Sequence, residues 1–508
     1  MSNSIKIIEN GFVFTGDRQN RAGRLTIIVK NGRIIEIGTR AEALKAFYSN
    51  AEVIDAAGKI ILPGFVDAHH TGESFILRYL TYGQQVSRWN KNTTISRVYK
   101  YLLTEATFKE FLTLYRLSYY AALKSGVTTL AEYGIDTPEH SFAASLEALH
   151  QTNLKGFIGL HNGDQIEAAR KLQKSSIRFA FVISDEENLT LYNLQSTIHF
   201  ARELKWPIIM HLGQTRHACD IVKKNFNKSI AQLIAEYRAI DSAVHLLHLS
   251  CFDDGDFEII AKSHVPLVYS PSAIFHKGSD IPPFGQLLKH KITLALGTDW
   301  GIAQPLENIQ SYCSMVKTLG LPHGRAYSRL ALHAKNGAIA LGLDKEIGTI
   351  ETGKKADIVF LNLSEFRMNS ILADDNAEQI LDVLLQEGSS RQVSDVMIHG
   401  EFYVRQGHIL TYSEEDLARE GQEIFKRLLL FRDKETETLT PPAAILPFSE
   451  YQKDNSKTIA GNMNVEEGFK VVRKEKVTFT PLVKTASSQE SEKKPVKNIK
   501  KIFGDEDI

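Results

Sequence analysis

The stretch ILPGFVDAHHTGES, residues 61–74, decides how the fold is read. Its apolar residues run on without alternating with polar ones, as in a strand covered on both faces. The polar side chains Asp67, His69, His70 and Thr71 gather at its C-terminal end. The same form recurs along the chain in GVTTLAEYG, LKGFIGLH, RFAFVIS, WPIIMHLG, SAVHLLHL, VPLVYS and ITLALGTD, separated mainly by helical patterns. Strands of this kind alternating with helices imply a parallel sheet, and eight of them without an obvious break predict an α/β fold, a (β/α)8 TIM barrel.

Outside that run the texture changes. Residues 1–60 alternate apolar and polar positions between Asn-Gly and Gly-Arg turn signals, as short antiparallel strands do. The pattern returns in residues 346–412, where IHGEFYVRQG echoes VKNGRIIEIG. A small β-sandwich built from these N- and C-terminal segments is therefore expected around a barrel spanning 61–345. A capped helix opening at Ser413 should begin an extension over 413–450. Residues 451–508 are polar and rich in Lys, Glu and Ser, a composition too poor in apolar surface to fold alone, so a disordered, solvated tail is the expectation, with docking to a protein partner as the alternative.

Composition narrows the function classes. Lys and Arg total 60 and Asp and Glu total 60, so no basic field exists to draw nucleic acid. No apolar run approaches the roughly 18 residues of a membrane span, and the first residues lack an apolar export segment. A cytoplasmic protein with a small-molecule substrate and no nucleic-acid or membrane partner is expected; the oligomeric state, a homodimer or otherwise, is left open by composition. Cys219, Cys251 and Cys313 are widely spaced and odd in number, which predicts reduced thiols.

Active sites in this barrel class lie at the C-terminal ends of the strands, so the polar residues closing each apolar run carry the functional reading. Strand one ends at Asp67, His69, His70 and Thr71, strand five at His211 and Gln214, strand six at His248, and strand eight at Thr298 and Asp299. Imidazoles and one carboxylate converging on one mouth suit a single divalent metal, Zn or Fe(II), and metal-bound water is a hydrolytic nucleophile near neutral pH. His69, His211, His248 and Asp299 supply such a set. His161, His276 and Trp300 follow strands three, seven and eight, where substrate contacts often lie; Trp89 is a further flat surface, and packing is the better reading of His245.

Taken in order, ILPGFVDAH, HLGQT, HLSCFDDGD, SPSAIFHKG, ALGTDWG and GTIETGKKADIVFL make the chain resemble the amidohydrolase superfamily, in the branch of cytosine deaminase, guanine deaminase and the triazine chlorohydrolases, over roughly residues 5–412. The resemblance implies one metal, held by a His-x-His pair on strand one, a His on each of strands five and six, and the strand-eight Asp. Carried over, these are His69, His211, His248 and Asp299. Strand four has no Lys, so a carboxylated-lysine bridge between two metals has no counterpart here.

Two departures bear on chemistry. Strand one reads Asp67-Ala68-His69-His70-Thr71, placing a hydroxyl where the second imidazole of the pair belongs; a local bulge would bring His70 inward as the replacement ligand. Gln214 stands where the branch has a proton-shuttling Glu, and an amide cannot exchange a proton. The sequence thus predicts a metal-dependent hydrolase cleaving a C–N or similar bond of a small cyclic compound, with Asp299 accepting the proton of water, His248 polarising the intermediate and Gln214 as an altered catalytic position. The alternative is a catalytically impaired barrel that serves as a binding or scaffold protein.

Overall fold

The structure, a computed structural model, describes residues 4–86, 89, 93–134, 139–161, 163–172, 177–183, 186–213, 216–238, 244–248, 252–262, 266–363 and 376–432. The tail expected over 451–508, residues 433–450 of the extension, and Gln214 lie outside the described residues.

Eight parallel strands form one sheet in sequence order: β1 (Phe65–His70), β2 (Val127–Glu132), β3 (Lys155–Leu160), β4 (Ile177–Ile183), β5 (Ile208–Leu212), β6 (Val244–His248), β7 (Leu267–Tyr269) and β8 (Leu294–Leu296). Each is one of the apolar runs of the sequence. β1 and β2 are buried at every position, as a sheet covered on both faces requires. Phe65, Leu130, Ile158, Phe179, Phe181, Ile208 and Leu296 pack outward with the covering helices, whereas Val66, Ala68, Ala131, Tyr133, Phe157, Ala180, Val182, Ile209, Val268 and Ala295 form a separate cluster of generally smaller side chains. The period of two along a strand produces this division.

Two further sheets stand apart from the parallel one. A four-stranded sheet holds Ile5–Glu9, Ile27–Lys30, Arg33–Ile37 and Glu52–Asp55. A seven-stranded sheet joins a block of Phe12–Phe14, Ala22–Arg24 and Lys59–Pro63 to a block of Ile358–Asn362, Val393–Ile398, Glu401–Arg405 and His408–Ile409. Lys59–Pro63 pairs antiparallel with Ile358–Asn362, so the two ends of the sequence meet within one sheet. Ile8, Val13, Ile27, Ile54, Ile61, Ile358, Phe360 and Met397 share a core between these sheets.

Two helices bear on the site. Phe108–Lys124 begins at a capping box in which Thr107 accepts from the Glu110 N–H and Glu110 in return accepts from the Thr107 N–H. It lies over β1 and β2, presenting Tyr115, Ser118 and Tyr119 to them. Pro271–Lys277 follows β7, with proline in its first turn and Gly278 in the left-handed conformation closing its end. Glu414–Arg432 is the expected C-terminal helix, capped where Ser413 Oγ accepts from the Asp416 N–H at 3.2 Å. Among the described residues no helix is long and apolar enough to cross a membrane. Cys313 is a free, buried thiol, but Cys219 is disulfide-bonded, contrary to the expectation of three reduced thiols. Spacing along the chain does not say which residues the fold brings together, and so misses such a pairing.

Candidate active site at the strand ends

The site is organised by the meeting of the first and last parallel strands. The backbone N–H groups of Thr298 and Asp299 both donate to His69 O, at 2.9 and 2.7 Å, and His70 and Asp299 form a parallel bridge. Asp67, buried beneath them, accepts from the Thr298 N–H at 2.8 Å and from Thr298 Oγ1 at 2.5 Å. Asp299 is thereby held with φ at +51°, a left-handed conformation uncommon outside glycine. Strain of this kind persists only where surroundings over-determine it, and it concentrates at functional sites.

His69, His211 and Asp299 come together in this place. The His69 and His211 rings meet edge to face with centroids 5.3 Å apart, and His69 Nε2 lies 3.7 Å from Asp299 Oδ1. On its other side His69 Nδ1 faces Ser270 Oγ at 3.3 Å. Burial pushes the His69 imidazole down to about 4; Asp299 opposes that shift and Lys277 adds to it. His69 is therefore neutral at physiological pH. Tyr133, the residue after β2, packs on both rings, 4.3 Å from His211 and 5.3 Å from His69.

The other expected residues are placed differently. His70 does not join this group. The register of β1 against β2 does shift between Asp67 and His70, as a bulge would require, yet the ring turns to the helix side. There Nδ1 meets Asp67 Oδ2 at 3.0 Å and Nε2 meets Ser118 Oγ at 2.8 Å. Burial alone would lower its pKa, but the hydrogen bond and charge of Asp67, with Glu132 and Glu73, turn the net shift upward. Both ring nitrogens are thus engaged, and His70 braces the strand end. Thr71 lies just past β1, buried, its carbonyl accepting from Ser74 Oγ at 2.5 Å. His248 closes β6 in register with Leu212 of β5; its side chain, like that of His245, lies outside the described residues. His161 Nε2 faces Tyr133 O at 2.8 Å. His276 packs tilted on Tyr82 at 4.0 Å with its Nε2 3.3 Å from Thr81 Oγ1, and Trp300 donates to Thr81 Oγ1 at 3.0 Å while packing on Trp89 at 4.8 Å. His276 and Trp300 therefore meet on Thr81, in the long connection after β1.

Sequence reasoning passed over four residues. Lys277, at the end of its helix, places its ammonium 2.5 Å from Asp299 Oδ2, with both side chains buried. Glu132 closes β2 and accepts from the Gly72 N–H at 2.9 Å; its carboxyl is raised to about 8 by burial, with His70 opposing and Glu73 reinforcing the rise. Glu73 accepts from Tyr115 OH at 2.5 Å. Glu186 accepts from the Gly213 N–H at 2.5 Å, beside the end of β5. Glu132 obeys the same rule that singled out Asp299, a polar residue closing an apolar run, and was legible on that ground.

The donor types present suit zinc, but among the described residues, which leave out the His248 side chain, their arrangement with Lys277 on Asp299 does not fit a divalent ion. Among the described residues no three His, Cys, Asp or Glu side chains are grouped to hold one. The cation in contact with Asp299 is Lys277.

The Amidohydrolase family matches residues 60–403. A 5-methylthioadenosine/S-adenosylhomocysteine deaminase of Acetivibrio thermocellus is 25% identical over 421 residues, covering 79% of this chain and 94% of its own. A 5'-deoxyadenosine deaminase of Methanosarcina acetivorans is 24% identical over 447 residues, covering 83% and 98%. An adenosine deaminase of Xanthomonas campestris solved with bound zinc superposes with a TM-score of 0.75 at 18% identity, over 84% of this chain and 98% of that one. The guanine deaminase of E. coli gives 0.67 at 17%, over 79% and 100%. These likenesses show a TIM-barrel-like α/β fold with a separate β domain.

Proposed function

The chain belongs to the amidohydrolase family, a family of hydrolases, and we propose that it hydrolyses a C–N bond of a small cyclic amine at the site formed by His69, His211 and Asp299. The observation that carries this reading is the convergence of those three side chains on the join of β1 and β8. We read the eight-stranded sheet as a closed (β/α)8 barrel on the same join, supported by the two N–H bonds onto His69 O. Its span is read as 61–345, with 1–60 and 346–412 forming the β module. The deaminases among its relatives support an amino group on a purine-like ring as the leaving nitrogen.

Asp299 is the base in this reading. Water adds its oxygen to the electrophilic ring carbon while its proton passes to the Asp299 carboxylate. The tetrahedral carbon then expels the amine, and the carboxyl returns that proton to the leaving nitrogen, so the elements of water are divided between carbon and nitrogen. A carboxylate that both accepts and returns the proton compensates for the amide at Gln214. His69 and His211 hydrogen-bond the adding oxygen, and Tyr133 closes the apolar side against bulk water. His161, His276 and Trp300 are read as surroundings of the substrate, and His248 as a further imidazole beside the intermediate.

The Xanthomonas enzyme holds zinc, whereas here the Lys277 ammonium stands on Asp299. No step is carried through a divalent ion, because Asp299 Oδ2 is held by Lys277. The test is ammonia release from a panel of aminopurines, aminopyrimidines and aminotriazines, nucleosides included. Wild type should release ammonia from at least one of them and Asp299→Asn should lose on the order of 10² or more in rate. Tight binding of panel compounds with no release by wild type would instead favour a barrel that binds without turnover.

A further inference from the structure

We propose that Lys277 is the resident cation of this site: its ammonium holds the place at Asp299 that a divalent ion would take, and ion and ammonium exclude one another there. The inference rests on reading His69, His211 and Asp299 as one site, and goes beyond it by saying what carries the positive charge.

Both partners of the pair are fixed by backbone. Lys277 is the last residue of its helix, closed directly behind by left-handed Gly278, whose N–H reaches back to Ile274 O. Asp299 is fixed by its N–H bond to His69 O and by its own left-handed conformation. Between these anchors the ammonium meets Oδ2 at 2.5 Å, and the Trp300 ring lies 5.4 Å from it. The contact is buried on both sides, so neither charge is screened by solvent.

The same carboxylate turns its Oδ1 toward His69 Nε2, at 3.7 Å. An ion bridging His69, His211 and Asp299 would therefore stand within a few ångströms of the ammonium. Like charges that close, in a site of low effective dielectric, repel strongly. Zinc binding requires Lys277 to leave Asp299 and find another partner for a buried charge. With Lys277 in place, the site offers a single positive charge with N–H donors, suited to an anionic oxygen or ring nitrogen developing on a substrate.

Zinc titration of the full chain, stripped of metal and competed against a chromophoric chelator, tests this. Wild type is expected to bind zinc weakly. Lys277→Met should bind one zinc per chain at least tenfold more tightly, and the double variant Lys277→Met/His211→Ala should lose that gain. Equal affinity of wild type and Lys277→Met overturns the proposal. Should Lys277→Met fail to fold, Lys277→Gln is the second variant, and wild type decides alone: one tightly held zinc that disappears in His211→Ala overturns the inference, and weak binding unaffected by His211→Ala upholds it. The two readings fail separately. Absence of ammonia release together with weak zinc binding sinks the hydrolase and leaves Lys277 in its role, whereas an active wild type holding a tight zinc does the reverse.

Discussion

Gly297 and His69 approach so closely that a Cβ on Gly297 would lie 2.4 Å from the His69 Cβ and 2.5 Å from its backbone nitrogen. No side chain fits between the last parallel strand and the first at this point. Gly297→Ala must separate the two strand ends, breaking the N–H bonds of Thr298 and Asp299 onto His69 O. Overpacking of this kind costs about 1–3 kcal/mol, and the lost bonds add to it. Urea unfolding should show the drop, with activity lost as well. A variant as stable as wild type would mean that the strands are not joined here.

The Lys277–Asp299 pair makes a separate prediction about stability. Removing one partner of a buried pair leaves the other charge uncompensated, at a cost of roughly 3–5 kcal/mol. Lys277→Met and Asp299→Asn should each destabilise the chain by about that amount in metal-free buffer. The double variant should recover much of the loss, because neither charge is then buried alone. Urea midpoints for the four proteins form a double-mutant cycle. Strict additivity would show that the two groups do not interact.

Much of the framework could be read directly from the sequence. The eight parallel strands stand out because a strand covered on both faces must be apolar throughout, and the C-terminal helix announces itself through Ser413 and its acidic first turn. His69, His211 and Asp299 follow from a positional rule, the polar residue at a strand's end, and His69 does touch both of the others. Lys277 escaped that rule. It sits at a helix end, and its partner is 22 residues away, so only the packing of that helix against the strand ends brings the two together. His70 illustrates the opposite error. A bulge is one of two readings the sequence leaves open at this strand, but it gives no sign that Asp67 and Ser118 would take both ring nitrogens.

His70 therefore separates bracing from ligation. His70→Ala leaves Asp67 buried without one of its partners, and a destabilisation of about 2–4 kcal/mol is expected. Zinc affinity measured on the folded fraction, in the Lys277→Met background, should be unchanged by it. A loss of zinc matching that of His211→Ala would return His70 to the ligand set.

Glu132 gives the stability a pH dependence whose sign is fixed by its environment. Burial raises this carboxyl from 4.5 to about 8, with His70 opposing the rise and Glu73 adding to it. A carboxyl with a raised folded-state pKa binds its proton more tightly in the folded than in the unfolded chain. Its contribution is therefore fully present below the unfolded value and is lost as pH rises through about 8. At full extent, between the unfolded and folded values, the loss is on the order of 5 kcal/mol. Wild type should accordingly melt at a lower temperature at pH 8.5 than at pH 6, by several degrees. Glu132→Gln keeps the shape and the acceptor for the Gly72 N–H but has no proton to lose, so its melting temperature should fall much less over the same interval. Parallel melting curves for the two proteins across that range would mean that Glu132 does not carry its proton into the folded state.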